Sequence, residues 1–206
     1  MKICVLGRGS SLSLMNLFSM NSYDEVFINN NFNNELNNEE IFNFVKDKKI
    51  KHFVNREVIS ILDTKWYKEL DIECVVNIPM AETNSSVVYS RIVKRIKTHF
   101  LRYQMIAASI DKKGGYQTTG ILSVIYAVEM LKATEVSIIG IDFYEANYYD
   151  NNAGRMANSS VNEHQVKKGL VMKSFLRSYI EKHPEVQFEI VTKSVERWEF
   201  DNVRYL

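Results

Sequence analysis

Cysteine and proline are scarce in this chain, with two of each in 206 residues. Cys4 and Cys74 both sit in apolar runs that read as buried strands, where a thiol behaves as a small hydrophobe, so neither a disulfide framework nor a zinc site is expected. No proline-rich linker and no internal repeat divides the sequence. With a hydrophobic content of 46%, its length suits one sizeable α/β core, and a single domain over residues 1–206 is the expectation. Charge of either sign is not in excess: 26 basic and 25 acidic residues leave +1, and no global field recruits nucleic acid or an anionic membrane. Apolar runs stay far below the roughly 18 residues a membrane helix requires. The first of them, residues 3–6, is strand-sized and ends at Gly7, unlike a secretory leader, so a cytoplasmic location is expected.

What is present is an alternation of strands and helices. Apolar and β-branched stretches at 1–6, 25–28, 52–54, 73–78, 136–141 and 187–191 read as strands. Helical spacing follows the GRGSS turn through Leu12, Leu14, Met15, Leu17 and Phe18, and recurs at 41–45, 87–110, 118–131 and 166–181. Such alternation predicts a mainly parallel sheet with helices on both faces, whose ligand crevice lies outside the carboxyl ends of the strands. A long Asn-, Tyr- and Gly-rich stretch near 147–163 has the length of a functional or mobile loop and is expected to act as a lid.

The chemistry-bearing residues stand at those carboxyl ends. Gly7-Arg8-Gly9-Ser10-Ser11 after the first strand suits either a tight strand-to-helix turn or a nucleotide phosphate, because glycine lets backbone approach closely. The dinucleotide fingerprint is incomplete, since Leu12 stands where its third glycine would be and Asn30 where a ribose-binding acid would be, so a nicotinamide-dependent oxidoreductase is disfavoured. Asn30 and Asn55 each offer an amide to a sugar or base edge, or to an Asx turn. Thr118 and Thr119 either meet a ligand or cap the helix that they begin. Among four histidines, His52, His99 and His183 occupy plausible surface or packing positions. His164 lies between the tyrosine-rich loop and a helix, where a neutral imidazole could accept a proton from a substrate or simply be solvated.

In combination and order, these segments resemble the bacterial family of CMP-sialic-acid-dependent sialyltransferases, metal-independent and inverting. VLGRGSSL resembles the family's opening strand and Gly-x-Gly-x-Ser loop, and VFINNNF and HFVNR resemble its next two strands with their asparagines. TTG before an apolar helix resembles its TSG donor loop, IIGIDFY is close to its most recognisable strand, and His164 stands eleven residues before Phe175-Leu176, as the family's base does. The likeness spans most of residues 1–180 through short segments. Two positions depart from it: Arg8 replaces an asparagine between the glycines, and Tyr116 stands where an arginine is common.

The resemblance implies a single Rossmann-like nucleotide-binding domain, a GT-A-like variant. It implies a CMP-sugar site lined by Gly7, Arg8, Gly9, Ser11, Asn30, Asn55, Thr118, Thr119, Gly120, Asp142, Phe143 and Tyr144, with Tyr148 or Tyr149 of the lid helping the departing phosphate and His164 as catalytic base. Sialic acid or a related nonulosonic or ulosonic acid would pass to a glycan hydroxyl in surface polysaccharide or lipooligosaccharide synthesis. The CMP-sugar is a co-substrate and no cofactor or metal is expected. No Asp-x-Asp pair occurs in the chain to hold the divalent ion that many sugar-nucleotide enzymes use. The partners expected are the donor and a glycan acceptor, not nucleic acid. Peripheral contact with the inner face of a membrane through the acceptor, and homo-oligomer formation, stay open. A catalytically silent CMP-sugar-binding module is the alternative.

Overall fold

The computed structural model describes residues 1–17, 22–55, 65–78, 97–100, 118–145, 163–194 and 196–206. In chain order its strands are β1 (Lys2–Leu6), β2 (Glu25–Asn29), β3 (Lys49–Asn55), β4 (Ile72–Ile78), β5 (Lys97–Phe100), β6 (Glu135–Ile139), β7 (Gln187–Val191) and β8 (Val203–Tyr205). The helices are α1 (Glu39–Val45), α2 (Thr119–Ile125) and α3 (Glu163–Glu181), with short 3₁₀ segments at Ser10–Leu17, Glu35–Asn37 and Lys65–Lys68. The strands form one sheet in the order β5-β4-β3-β2-β1-β6-β7-β8. Every described pairing in it is parallel.

Parallel strands buried on both faces read as continuous apolar runs, and β1 is the extreme case: Ile3, Cys4, Val5 and Leu6 are all fully buried. Their alternation sends Ile3 and Val5 to one face and Cys4 and Leu6 to the other. On the first face Phe27, Phe53 and Val136 join a core with Ile121 and Val124 of α2 and Met172 and Leu176 of α3. On the second, Val26, Ile28 and Ile139 pack with Leu12 and Met15 of the first 3₁₀ segment and Ile41 and Val45 of α1. Helices therefore cover both faces, as the alternation predicts. Cys4 and Cys74 are buried and are not joined in a disulfide.

Local chemistry sets the helix ends. Asn38 caps α1, its side-chain oxygen accepting from the Glu40 and Ile41 amides at 2.9 and 3.2 Å, and Glu39 and Glu40 complement the positive end of the helix dipole. At the far end of α3, Asn202 Nδ2 donates to the carbonyls of His183 at 2.9 Å and Val186 at 3.1 Å, tying the approach to β8 onto the turn before β7.

The structure adds to or departs from the local expectations in four places. The helix expected after the glycine loop is present over Ser10–Leu17 as a kinked 3₁₀ helix. The helical reading of 87–110 contains β5 at 97–100, where pairing with β4 overrides local spacing; His99 accordingly lies on a strand. The helix from 119 widens into a π turn over Tyr126–Met130. A final strand, β8, pairs with β7. Glu163, at the edge of the expected lid, begins α3, while residues 147–162 lie outside the described residues.

Candidate functional site

The order of the strands reverses its direction of growth at β1: β2 to β5 extend to one side and β6 to β8 to the other. The carboxyl ends of β1 and β6 thus flank the switch point at which open α/β sheets form their crevice. Gly7 N donates to the Ile139 carbonyl and Gly9 N to the Gly140 carbonyl, both at 2.7 Å. A Cβ on Gly7 would strike the Gly140 carbonyl oxygen, and one on Gly9 would strike the Asp142 carboxylate, so both glycines are required by close approach. Gly140 takes φ +75°, and a side chain there would lie 2.6 Å from the Gly7 oxygen.

Ser11 and Asp142 fasten this contact. Ser11 Oγ accepts from Gly140 N at 2.9 Å, and Ser11 N donates to Asp142 Oδ2 at 2.8 Å. The second carboxylate oxygen of Asp142 accepts from Thr192 Oγ1 at 3.3 Å. Both residues are buried, and these bonds make them the joinery of the crevice floor. Ile141 extends from the same segment between two glycines: its Cγ1 would lie 2.9 Å from a Cβ on Gly7, and its Cδ1 3.0 Å from one on Gly120. That seats the first turn of α2 beside the β1 loop. Thr118 precedes α2 in extended conformation and makes no side-chain capping bond, while Thr119 is buried.

On the other flank, Asn29 Nδ2 donates to the Leu6 carbonyl at 2.9 Å and holds the ends of β1 and β2 together. Asn30 N donates to the Phe53 carbonyl at 2.7 Å, and Asn30 adopts φ 57°, a left-handed conformation. Its side-chain oxygen is buried with no hydrogen-bond partner among the described residues, and so is that of Asn29. Behind Asn30 sits His52, whose Nε2 is 2.5 Å from the Asn30 carbonyl and whose Nδ1 is 2.6 Å from the Tyr67 hydroxyl. A carbonyl only accepts, so Nε2 carries the proton and Nδ1 receives the tyrosine hydrogen. Burial pushes the imidazole down to about 4, with the Asn30 carbonyl opposing in part, and burial pushes the Tyr67 hydroxyl up. Asn55 closes β3 opposite Ile78. Arg8 Nε donates to Glu35 Oε1 at 2.7 Å, an ion pair with a fully buried carboxylate that links the β1 loop to the chain beyond β2.

The third wall is the turn after β6. Phe143 and Tyr144 both take positive φ, 50° and 61°, and Glu145 N donates to the Asp142 carbonyl at 2.8 Å. Consecutive bulky residues in this region cost energy and persist only when neighbours over-determine them. Here α3 does so. Gly169 presses against the Phe143 carbonyl, where a Cβ would clash, and Lys173, one turn on, donates to Glu145 Oε1 at 2.6 Å and Ser194 Oγ at 2.8 Å. Phe143 itself packs on Trp198. From this contact α3 leads away to the start of β7, so its first residues stand toward the carboxyl edge. His164 is the second residue of α3, five positions before Gly169 and therefore roughly 7.5 Å from it along the axis.

Gly7, Arg8, Gly9, Ser11, Asn30, Asn55, Thr118, Thr119, Gly120, Asp142, Phe143 and Tyr144 thus sit on the carboxyl edge of one sheet, in segments that touch one another through the contacts above. Tyr148 and Tyr149 lie outside the described residues. Sequence reasoning missed Asn29, Tyr67, Lys173 and Thr192, and read His52 only as a surface or packing position; the structure buries it. Only the Gly169-Lys173 spacing, one helical turn, offers a sequence signal, and it does not reveal Glu145 as the partner. The described part of the crevice provides amides and closely approached backbone, groups able to hold and orient a ligand. Among the described residues no group of His, Cys, Asp and Glu side chains is arranged to hold a metal ion, and no helix is long and apolar enough to cross a membrane. No protein-family model, curated protein or solved structure matches the chain.

Proposed function

We propose that the chain is an inverting glycosyltransferase that moves sialic acid, or a related nonulosonic or ulosonic acid, from a CMP-activated donor to a glycan hydroxyl, on a Rossmann-like, GT-A-like domain. The observation that carries this reading is that four segments resembling the sialyltransferase family share the carboxyl edge around the switch point: the Gly7-to-Ser11 loop, Asn30 just after β2 with Asn55 at the end of β3, the Thr118-to-Gly120 segment and the Asp142-to-Tyr144 turn. In this reading the glycine loop admits the donor's phosphate close to the backbone, and Asn30 and Asn55 orient the nucleoside. Breaking the sugar–phosphate bond builds oxocarbenium character on the sugar and negative charge on departing CMP. Hydroxyls of Tyr144 and of Tyr148 or Tyr149 donate to that phosphate. Neutral His164 takes the proton of the acceptor hydroxyl as it attacks from the opposite face, which inverts the anomeric centre; general-base help of this kind is worth roughly 10² to 10⁴ in rate.

The test is incubation with a panel of CMP-activated sugars and glycan acceptors, with products read by mass. Transfer from at least one CMP-ulosonic donor, unchanged within about twofold by EDTA, is expected. CMP binding without product for any donor and acceptor would replace the enzyme with a silent binding module, and absence of CMP binding would end the CMP reading.

A further inference from the structure

We propose that His52 and Tyr67, which take no part in the reaction above, are positioning residues that hold Asn30 with its side-chain oxygen presented to an N–H or O–H donor of the bound nucleotide. This rests on the reading of the crevice as a CMP site and names what one of its walls recognises. Three observations meet here. Asn30 is held at φ 57°, where a non-glycine residue needs support from its surroundings. Part of that support is a directed chain, in which the Tyr67 hydroxyl donates to His52 Nδ1 at 2.6 Å and His52 Nε2 donates to the Asn30 carbonyl at 2.5 Å, beside the Phe32 amide, which donates to the same carbonyl at 3.0 Å. The Asn30 amide is fixed from the other side by the Phe53 carbonyl at 2.7 Å. The residue is thereby clamped at both its backbone polar groups, while Asn30 Oδ1 is buried with no partner among the described residues.

A buried amide oxygen without a donor is costly, and it marks a place that a ligand hydrogen completes. An amide oxygen cannot complement an acceptor, so the nucleotide atom that reaches it carries a proton. Cytidine has two such groups of different origin, the exocyclic amine of the base and the hydroxyls of the ribose. A mid-strand histidine with one nitrogen on a tyrosine and the other on a main-chain carbonyl has no lone pair or proton left for substrate. Its action on binding is therefore indirect, through the conformation of Asn30.

The experiment measures CMP, UMP and 2′-deoxy-CMP binding by calorimetry to the whole chain and to Tyr67→Phe, His52→Leu, His52→Gln, Asn30→Ala and the double variant His52→Leu/Asn30→Ala, alongside each variant's unfolding midpoint. Tyr67→Phe and His52→Leu should weaken CMP about tenfold with kcat for transfer within about twofold. His52→Gln, which can still donate to the carbonyl, should recover part of the loss. In the Asn30→Ala background His52→Leu should cost nothing further, and discrimination against UMP (the amine) or against the deoxynucleotide (the ribose) should vanish with Asn30. Independent, additive losses, or CMP binding that follows only the unfolding midpoint, would overturn the assignment. Should the parent chain bind no CMP, the CMP reading fails separately. The positioning claim is then decided by the NMR signals of the Asn30 side-chain amide, which must move in Tyr67→Phe; signals that stay in place would overturn it.

Discussion

Ser11 and Asp142 are joined by a single hydrogen bond, backbone N–H to carboxylate at 2.8 Å, that spans 131 residues of sequence and locks the loop after β1 to the turn after β6. Replacing Asp142 by Ala leaves the buried Ser11 amide and the Thr192 hydroxyl without their acceptor. Unfolding in urea should show a loss of about 2 to 3 kcal/mol, the range for hydrogen bonds to charged groups. A variant as stable as the parent would mean that the two loops are held by their glycine contacts alone.

Gly169→Ala tests the other side of the same turn. The added methyl must displace the Phe143 carbonyl, in a turn that holds Phe143 and Tyr144 at positive φ and is tied to α3 by the bond from Lys173 to Glu145. A loss of about 1 to 3 kcal/mol is expected from overpacking. Leu170→Ala, on the adjacent exposed position, should stay within about 0.5 kcal/mol. Equal thermal midpoints for the two variants would show that the turn is free to move.

His164→Ala should lower kcat by about two orders of magnitude or more and leave CMP affinity within about twofold, since a base acting on the acceptor proton contributes only in the transition state. The acid limb of the rate profile should vanish with it, because a protonated imidazole accepts nothing. A folded variant with full activity would remove His164 from the mechanism without touching the assignment of the nucleotide crevice.

His52 gives stability its own dependence on pH. Its imidazole titrates near the ordinary 6.5 in the unfolded chain and at about 4 when buried, so between those values the unfolded state holds the extra proton. Stability then rises with pH across this window and is lost as pH falls from about 6.5 toward about 4, by on the order of 3 kcal/mol. Denaturant titrations at pH 7 and pH 4.5 should show the loss in the parent and a smaller one in His52→Gln. An identical slope in both would assign the acid sensitivity elsewhere.

Fold class and the position of the crevice are legible in the sequence because both rest on local signals. The apolar run from Ile3 to Leu6 reads as an inner strand, and the glycines and asparagines that follow strands read as loop rims. β5 and β8 are not legible. Their residues are mixed in character, with Lys97 and His99 in one and Arg204 in the other, and they become strands through neighbours distant in sequence. His52 is hidden for a different reason: nothing near it in sequence announces that its ring will be closed between Tyr67 and the Asn30 carbonyl. Asp142 is legible as a residue at the right place. The partners of its two carboxylate oxygens, Ser11 and Thr192, come from opposite ends of the chain and only the assembled sheet reveals them.

The central place of β1 also shapes how the protein must be made. Its ladder with β2 closes within the first 30 residues, but its other edge waits for β6, which begins at Glu135. Until the ribosome has delivered that strand, Ile3 to Leu6 present an open edge of unpaired N–H and C=O groups flanked on both faces by apolar side chains, an arrangement prone to pairing with another chain. Synthesis of this protein therefore passes through a sticky half-sheet, and chaperone demand should fall abruptly once residues near 140 leave the exit tunnel.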